Sequence, residues 1–126
     1  MGDLTKNFSR REFACKCGCG WDDIDLRLVE ALQRLRDLLG RPVYVLSGCR
    51  CPKHNREVGG ARFSYHMPVE GRNTQGMAAD VYVRGMPVYV LAAQAQQIQE
   101  FRDGGIGRYE DSGFVHLDIR GYPARW

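Results

Sequence analysis

The most regular hydrophobic pattern in the chain lies between Asp25 and Gly40. Charged residues occupy one face of this segment, and the apolar positions on the other recur at helical spacing: Leu28, Val29, Leu32, Leu35, Leu38 and Leu39. This periodicity predicts an amphipathic helix with one buried face. Asp25 is a suitable N-cap, and Gly40, followed by Pro42, ends the helix. Nothing in the segment carries chemistry, so we assign it to the scaffold.

Three further segments carry helix signals. Pro87 stands at the start of a helix, and a shorter helix begins at Pro52. The inner face of the longer one is formed by Leu91, Ala95, Ile98 and Phe101. Ser9 and Glu12 have the capping-box spacing, which predicts a short helix before the loop of cysteines and glycines at residues 15–20.

Short apolar runs predict the strands. Residues 43–46 and 77–83 are rich in β-branched, aromatic and small apolar side chains, and residues 104–109 and 113–119 flank a polar turn as in an antiparallel hairpin. The order of helices and strands fits an α+β fold, with helices on one side of a small, largely antiparallel sheet. We expect residues 1–126 to form a single domain.

Composition and charge exclude several classes of protein. The fraction of charged residues is 26%, and the basic ones are spread along the chain with a net charge of only +3, so no nucleic-acid partner is expected. No apolar stretch approaches the ~18 residues of a membrane span, and the polar start does not resemble a signal peptide. We therefore expect no membrane insertion, and the sequence carries no sign of an oligomer, which favours a monomer.

Five cysteines fall into two groups. Cys15, Cys17 and Cys19 alternate with other residues, and Cys49 and Cys51 repeat that spacing. It differs from the C-x-x-C pattern of structural zinc sites. Disulfides between the groups, a second metal site and reduced, partly buried thiols all stay open. The odd number leaves at least one cysteine outside any intrachain pair.

The candidate chemistry lies in two separated segments, the first containing His66 and Asp80 and the second containing His116. Two imidazoles and a carboxylate form the ligand set that suits Zn²⁺, and three protein ligands leave a fourth position open, as a catalytic site requires. Because residues 77–83 and 113–119 are both predicted strands, Asp80 and His116 are expected to face the same side of one sheet. His66 would enter from the preceding loop.

Six sequence blocks occur together in the order found in a known family. They are FACKCGCG at 13–20, SGCRCPKHN at 47–55, SYH at 64–66, GMAAD at 76–80, GIGRY at 105–109 and FVHLD at 114–118. In these blocks the chain resembles the zinc D-Ala-D-Ala carboxypeptidases and endopeptidases of the M15 type, above all the short catalytic domains of phage and bacterial murein hydrolases. The resemblance implies hydrolysis of D-amino-acid-containing peptide bonds of peptidoglycan by metal-activated water, with one zinc per chain.

The resemblance also implies a role for each matched position. The zinc ligands that it implies are His66, Asp80 and His116. Arg50 matches the arginine that holds the carboxylate of the substrate, a task suited to a planar, permanently charged guanidinium. Ser64 and Asn55 match positions near the site and are expected to help bind the peptidoglycan stem peptide.

The chain departs from the family pattern before Asp80. The segment between the first histidine and this aspartate is longer than in relatives, as though residues 68–74 were inserted. Such loops lie at the surface and often carry function. We expect this one to be extruded beside the zinc, where it would narrow or reshape the cleft.

The general base is the second departure. Relatives place a glutamate or a second histidine shortly before the last histidine, where this chain has Gly113 and Phe114. Asp118, on the same strand face as His116, is the nearest candidate for the proton relay. A different register of the motif would make Asp118 the third ligand and His116 the base.

Two other classes of function stay open. One is a non-catalytic, zinc-containing binding module of the same fold that recognises peptidoglycan or a partner protein. The other is a metal or redox protein centred on the cysteines of residues 15–19. The enzyme interpretation places the site of action at the cell wall, in the periplasm or outside the cell. Without a signal peptide, it favours cytoplasmic synthesis followed by phage-type release.

Overall fold

The computed structural model describes residues 2–126. A short 3-10 helix spans Arg10–Phe13, within the capping box formed by Ser9 and Glu12. The α-helices are α1 (Leu26–Leu39), α2 (Pro52–Glu57), α3 (Val88–Ala95) and α4 (Gln99–Arg102). The strands are β1 (Tyr44–Ser47), β2 (Ala78–Tyr82), β3 (Gly105–Tyr109), β4 (Phe114–Asp118) and β5 (Ala124–Arg125).

The strands form one sheet in the order β1-β2-β4-β3-β5. Every pairing is antiparallel except that of β3 with β5, which is parallel. The register of β2 against β4 sets Asp80 opposite His116, and on its other side His116 faces Gly107 of β3. The predicted α+β fold with a small, largely antiparallel sheet is confirmed.

Helix α1 supplies much of the core, as its periodicity predicts. Its fully buried side chains include Leu28, Leu32 and Leu35, and α1 contacts α3 and α4. Burial of one such leucine is worth about 1.5–3 kcal/mol. Leu38, also assigned to the apolar face, is 50% exposed near the C-terminal end of the helix. Within residues 2–126, none of the helices has both the length and the hydrophobicity to cross a membrane.

The single long helix predicted after Pro87 is wrong. Helix α3 ends at Ala95, the next residues close with tight turns, and Ile98 adopts an extended backbone before α4 begins. Ile98 and Phe101 are nevertheless buried. The apolar spacing therefore predicts burial correctly, but the backbone at Ile98 is extended rather than helical. Strand β5 was not predicted, because its two residues are too short to show a period.

Asp25 connects α1 to the segment that leads into β2. Its side chain caps the helix by accepting from the Arg27 amide at 2.9 Å, and its own amide donates to the carbonyl of Gly76. Burial alone would raise the pKa of the Asp25 carboxyl, but hydrogen bonds from Arg27 lower it below its usual value. A lowered folded-state pKa means that this contribution to stability is present at neutral pH and is lost as the pH falls through the carboxyl pKa.

Asp25→Ala is expected to lower the free energy of unfolding by about 1 kcal/mol, since the first turn of α1 loses its side-chain acceptor. Urea unfolding at pH 7 measures the change. Asp25→Asn is the matched control, because the amide oxygen still caps the helix and only the pairing with the exposed Arg27 guanidinium is lost. Equal losses in both variants would show that the charge, and not the cap, stabilises this helix start.

Candidate metal centre

The three side chains singled out as metal ligands converge beside the sheet. Asp80 lies in β2, His116 lies in β4, and His66 comes from the loop between α2 and β2. The Oδ1 atom of Asp80 is 3.1 Å from Nε2 of His66 and 3.2 Å from Nδ1 of His116. All three residues are buried, and one ligand atom from each lies within 4.8 Å of the others. The fold thus assembles the expected set from separated segments.

The outer nitrogen of each imidazole has a partner of its own. Nδ1 of His66 lies 2.7 Å from the carbonyl oxygen of Gly48, and Nε2 of His116 lies 2.7 Å from Oδ2 of Asp118. Both partners are acceptors, so these outer nitrogens carry the protons and donate. When the rings are neutral, the inner nitrogens then present lone pairs toward the Asp80 carboxylate. Facing lone pairs repel unless a cation lies between them, so this donor set fits Zn²⁺.

The pKa directions in the site reflect the same contacts. Burial lowers the pKa of His66 below its usual value, against the opposing effect of Asp80. Burial would raise the pKa of Asp80, but its close contacts with the two imidazoles hold it well below its usual range. For His116, burial acts to lower the pKa, yet the hydrogen bonds with Asp118 and Asp80 raise it overall. A carboxylate behind an imidazole in this way makes the ring a more basic ligand.

Arg50 holds the other oxygen of Asp80. Its Nη2 donates to Asp80 Oδ2 at 2.8 Å, its Nε donates to Ser47 Oγ at 3.0 Å, and its Nη1 donates to Asn55 Oδ1 at 3.3 Å. These bonds turn Oδ1 of Asp80 toward the histidines. A guanidinium has five N–H groups, so hydrogens not used here remain for a ligand in the cleft that Arg50 lines.

Ser64 and Asn55 have different positions relative to that cleft. Ser64 lines it, and its hydroxyl oxygen accepts from the amide of His66 at 3.1 Å. Asn55 is 2% exposed and lies behind Arg50, where its amide nitrogen donates to the carbonyl of Ala61 at 2.8 Å. A Cβ on Gly60 would overlap the Asn55 side chain. Asn55 is not part of the cleft lining itself and contacts Arg50, which is.

Asp118 is enclosed behind His116. Its carboxylate is fully buried, and Arg120 contacts it with Nε and with Nη2 at 2.7 Å. The amide of Gly105 donates to its Oδ1 at 2.9 Å, and a Cβ on this glycine would overlap the carboxylate. Burial would raise the pKa of Asp118, but hydrogen bonds from His116 and Arg120 hold it well below its usual range. The carboxylate is not part of the cleft lining.

The cleft has a volume of about 620 Å³ and contains all three candidate ligands in its lining. Its aromatic wall consists of five side chains: Phe63, Tyr65, Tyr109, Phe114 and Trp126. The Trp126 ring lies 5.0 Å from the His116 ring between centroids, and its Nε1 donates to the Tyr109 hydroxyl at 2.8 Å. No local pattern in the sequence indicates that Trp126 approaches the site.

Arg120 is the other residue that sequence reasoning missed. A signal for it exists, because His116, Asp118 and Arg120 follow the period of two that places side chains on one strand face. The guanidinium lies over the Tyr65 ring, 4.5 Å from its centroid, and over the Trp126 ring at 5.1 Å. Arg120 thereby links the buried Asp118 carboxylate to the aromatic wall of the cleft.

The loop at residues 68–74 lies outside the cleft. Val69 and Asn73 pair through both backbone amides, which makes the loop a tight hairpin. From it Arg72 donates to the carbonyls of Phe63 and Ser64 at 2.6 and 3.0 Å. Residues 68–74 do not line the cleft beside His66, in contrast to the expectation that they narrow it. Through Arg72, the loop instead holds the backbone of two residues that line the cleft, Phe63 and Ser64.

Comparison with known proteins identifies the family. The model of the family described as Peptidase M15 matches residues 6–118. The chain is 37% identical over 109 residues to the peptidoglycan L,D-endopeptidase MepK of Escherichia coli strain K12, with 81% of this chain and 53% of that protein covered. MepK of Shigella flexneri matches with the same identity and coverage. The chain thus spans about half the length of these curated relatives. The resemblance to M15 peptidases is confirmed, and the chain belongs to the peptidase M15 family.

Proposed function

We propose that the chain is a zinc-dependent peptidase that hydrolyses peptide bonds in the D-amino-acid-containing stem peptides of peptidoglycan. The observation that carries this proposal is the convergence of two imidazole nitrogens and one carboxylate oxygen from His66, His116 and Asp80 at the floor of a cleft. The 37% sequence identity to a peptidoglycan L,D-endopeptidase supports peptidoglycan as the substrate class and favours an endopeptidase over a carboxypeptidase.

His66, Asp80 and His116 would hold one zinc ion through Nε2, Oδ1 and Nδ1. When bound, zinc supplies a Lewis acid that polarises the scissile carbonyl and makes water a nucleophile near neutral pH. With three protein ligands, a coordination position stays free for chemistry on the substrate, as in catalytic zinc sites. The alternative register, with Asp118 as the third ligand, is less favoured, because Asp118 is bound to Arg120 and stands behind His116.

The other residues bind and orient. Arg50 keeps Asp80 in place and offers its remaining N–H groups to a carboxylate or carbonyl of the stem peptide. Asp118 holds the His116 ring with its proton on Nε2, which makes Asp118 a positioning residue in this proposal. In the competing assignment, Asp118 is the general base. Asp80 is the only carboxylate among the described residues that line the cleft.

The charge of the cleft suits an acidic peptide. Three arginines line it, and two of them are already paired: Arg50 with Asp80 and Arg120 with Asp118. Arg62 contributes the additional positive charge and lies over the Phe63 ring, 5.2 Å from its centroid. Stem peptides carry carboxylates, so this field favours their approach. The proposal implies action at the cell wall by a monomer whose partner is the wall itself.

Digestion of purified peptidoglycan tests the function. With zinc present, we expect soluble peptide fragments to be released; a chelator should abolish the release, and added zinc should restore it. Mass spectrometry of the products separates the two peptidase types, because cleavage of a cross-link converts two linked stem peptides into unlinked ones, whereas a carboxypeptidase releases single D-alanine. Tight binding of peptidoglycan without any cleavage product would reject the enzyme and favour the binding module.

A further inference from the structure

A second group of metal-binding side chains lies apart from His66. The sulfur atoms of Cys15, Cys17, Cys19 and Cys51, here called the cysteine cluster, all lie within 4.8 Å of one another. The sulfur of Cys17 is 3.4 Å from that of Cys15 and 3.7 Å from that of Cys51. All five cysteines of the described chain are free thiols. We propose that the cysteine cluster is a structural zinc site, separate from the metal centre at His66.

The distances between the sulfur atoms favour a metal over disulfides. A Zn–S bond of about 2.3 Å in a tetrahedron places the sulfurs about 3.8 Å apart. A disulfide requires about 2.05 Å between its two sulfurs. The separations of 3.4 and 3.7 Å around Cys17 lie close to the tetrahedral value. Four thiolates without another ligand form a closed site of the structural type.

The backbone explains how alternate cysteines meet in one place. In an extended strand, residues two apart are separated by about 6.6 Å. Here the loop curls: the Gly18 amide donates to the Cys15 carbonyl, and the Cys15 amide donates to the carbonyl of Trp21. Gly18 and Gly20 have φ of 84° and 89°, which other residues rarely adopt. Because these glycines allow the loop to curl, the sulfur atoms of Cys15, Cys17 and Cys19 meet on one side of it, although their spacing differs from C-x-x-C.

Backbone amides point at the sulfurs, as in metal–thiolate sites. Cys51 donates its amide to the sulfur of Cys15 at 3.4 Å, Trp21 donates to Cys19 at 3.5 Å, and His54 donates to Cys51 at 3.4 Å. Hydrogen bonds from N–H groups stabilise the thiolate form that a metal needs. Cys17 and Cys19 are exposed, so an ion can enter from solvent.

The fifth cysteine stands outside this arrangement and accounts for the odd number. Cys49 is buried in the core, 1% exposed, and belongs to neither metal-binding group. Gly76 packs closely against its sulfur, since a Cβ at that position would lie only 3.1 Å away. Burial raises the pKa of the Cys49 thiol to about 12, which keeps it neutral. Cys49 is thus a natural control for the cluster.

A zinc ion here would join the N-terminal loop to the corner that carries Arg50. Cys51 follows Arg50 directly, the Arg50 amide donates to the carbonyl of His66 at 2.8 Å, and the Cys49 amide donates to the Phe13 carbonyl at 2.8 Å. A metal that links Cys15 to Cys51 closes the intervening chain and stabilises the folded state over the unfolded chain. The role assigned to the cluster is therefore to hold this corner in place.

Zinc content per chain, measured in three variants, tests the proposal without using activity. His66→Ala/His116→Ala should keep one zinc, Cys17→Ser/Cys51→Ser should lose one relative to wild type, and Cys49→Ala should lose none. Loading the first variant with Co²⁺ alone should produce the near-ultraviolet charge-transfer absorption of cobalt thiolates. A double-histidine variant that holds no zinc and shows no such band would overturn the proposal while leaving the proposed peptidase intact.

A measurement on the wild-type chain covers the case in which the serine variant does not fold. Thiol reagents should react slowly with the cysteine cluster in the zinc-loaded protein and rapidly after a strong chelator is added. Equal rates for Cys17 and Cys19 with and without chelator, or disulfide bonds in protein purified without reductant, would contradict a zinc site. Because peptidoglycan is absent, failure here is distinguishable from failure of the peptidase proposal.

Discussion

His116→Ala is expected to remove the zinc ion of the metal centre and to lower peptidoglycan hydrolysis by a factor of at least about 10³. The variant loses one of the three ligand atoms, and the two that remain, from His66 and Asp80, are too few to hold the ion tightly. Zinc content per chain should fall by one relative to wild type. Release of soluble peptide from peptidoglycan, measured on the same samples, should fall to the level of the chelated wild type.

His54→Ala is the matched control, because His54 lies in α2 outside both metal-binding groups and donates only its backbone amide to Cys51. It should retain zinc and hydrolysis. His116 packs against the rings of His66 and Trp126, so circular dichroism must show that the fold survives its truncation. A folded His116→Ala protein that keeps both zinc and hydrolysis would reject His116 as a ligand.

Asp118→Asn is expected to weaken zinc binding by one to two orders of magnitude, as loss of a hydrogen-bond partner behind a ligating histidine typically does. An asparagine oxygen still accepts from Nε2 of His116, but the negative charge that raises the pKa of this ring is gone. The amide also cannot satisfy both Arg120 and the Gly105 N–H. Hydrolysis should therefore be low at limiting zinc and largely recovered when zinc is saturating.

The zinc dependence of hydrolysis distinguishes the two roles of Asp118. A positioning residue changes the zinc concentration needed for half-maximal activity, whereas a general base changes the rate at saturating zinc. Asp111→Asn makes the same chemical change in the exposed turn between β3 and β4 and should alter neither quantity. If Asp118→Asn binds zinc as tightly as wild type yet hydrolyses nothing at any zinc concentration, Asp118 is the base.

Local periodicity predicted much of the scaffold. The heptad-like spacing of Leu28, Leu32 and Leu35 located α1 and its buried face, and apolar runs located β2 and β4. Part of the metal centre was predicted in the same way, because Asp80 and His116 both lie in predicted strands, and the structure pairs those strands with Asp80 opposite His116. His66 comes from an irregular loop with no period, so the sequence offered it as a ligand by residue type but could not fix its position.

The sequence by itself determined the α+β class and most of the helical and extended segments, and it offered His66, Asp80 and His116 as candidate metal ligands, because these depend on residue type and on local spacing. The tertiary structure alone decided that α3 and α4 are separate, that Trp126 packs beside His116, that Arg120 encloses Asp118, and that alternate cysteines converge with Cys51. Each of these depends on contacts between residues distant in the chain or on the backbone conformation of single residues. A hydrophobic period records whether a position is buried and carries no information about which distant residue covers it.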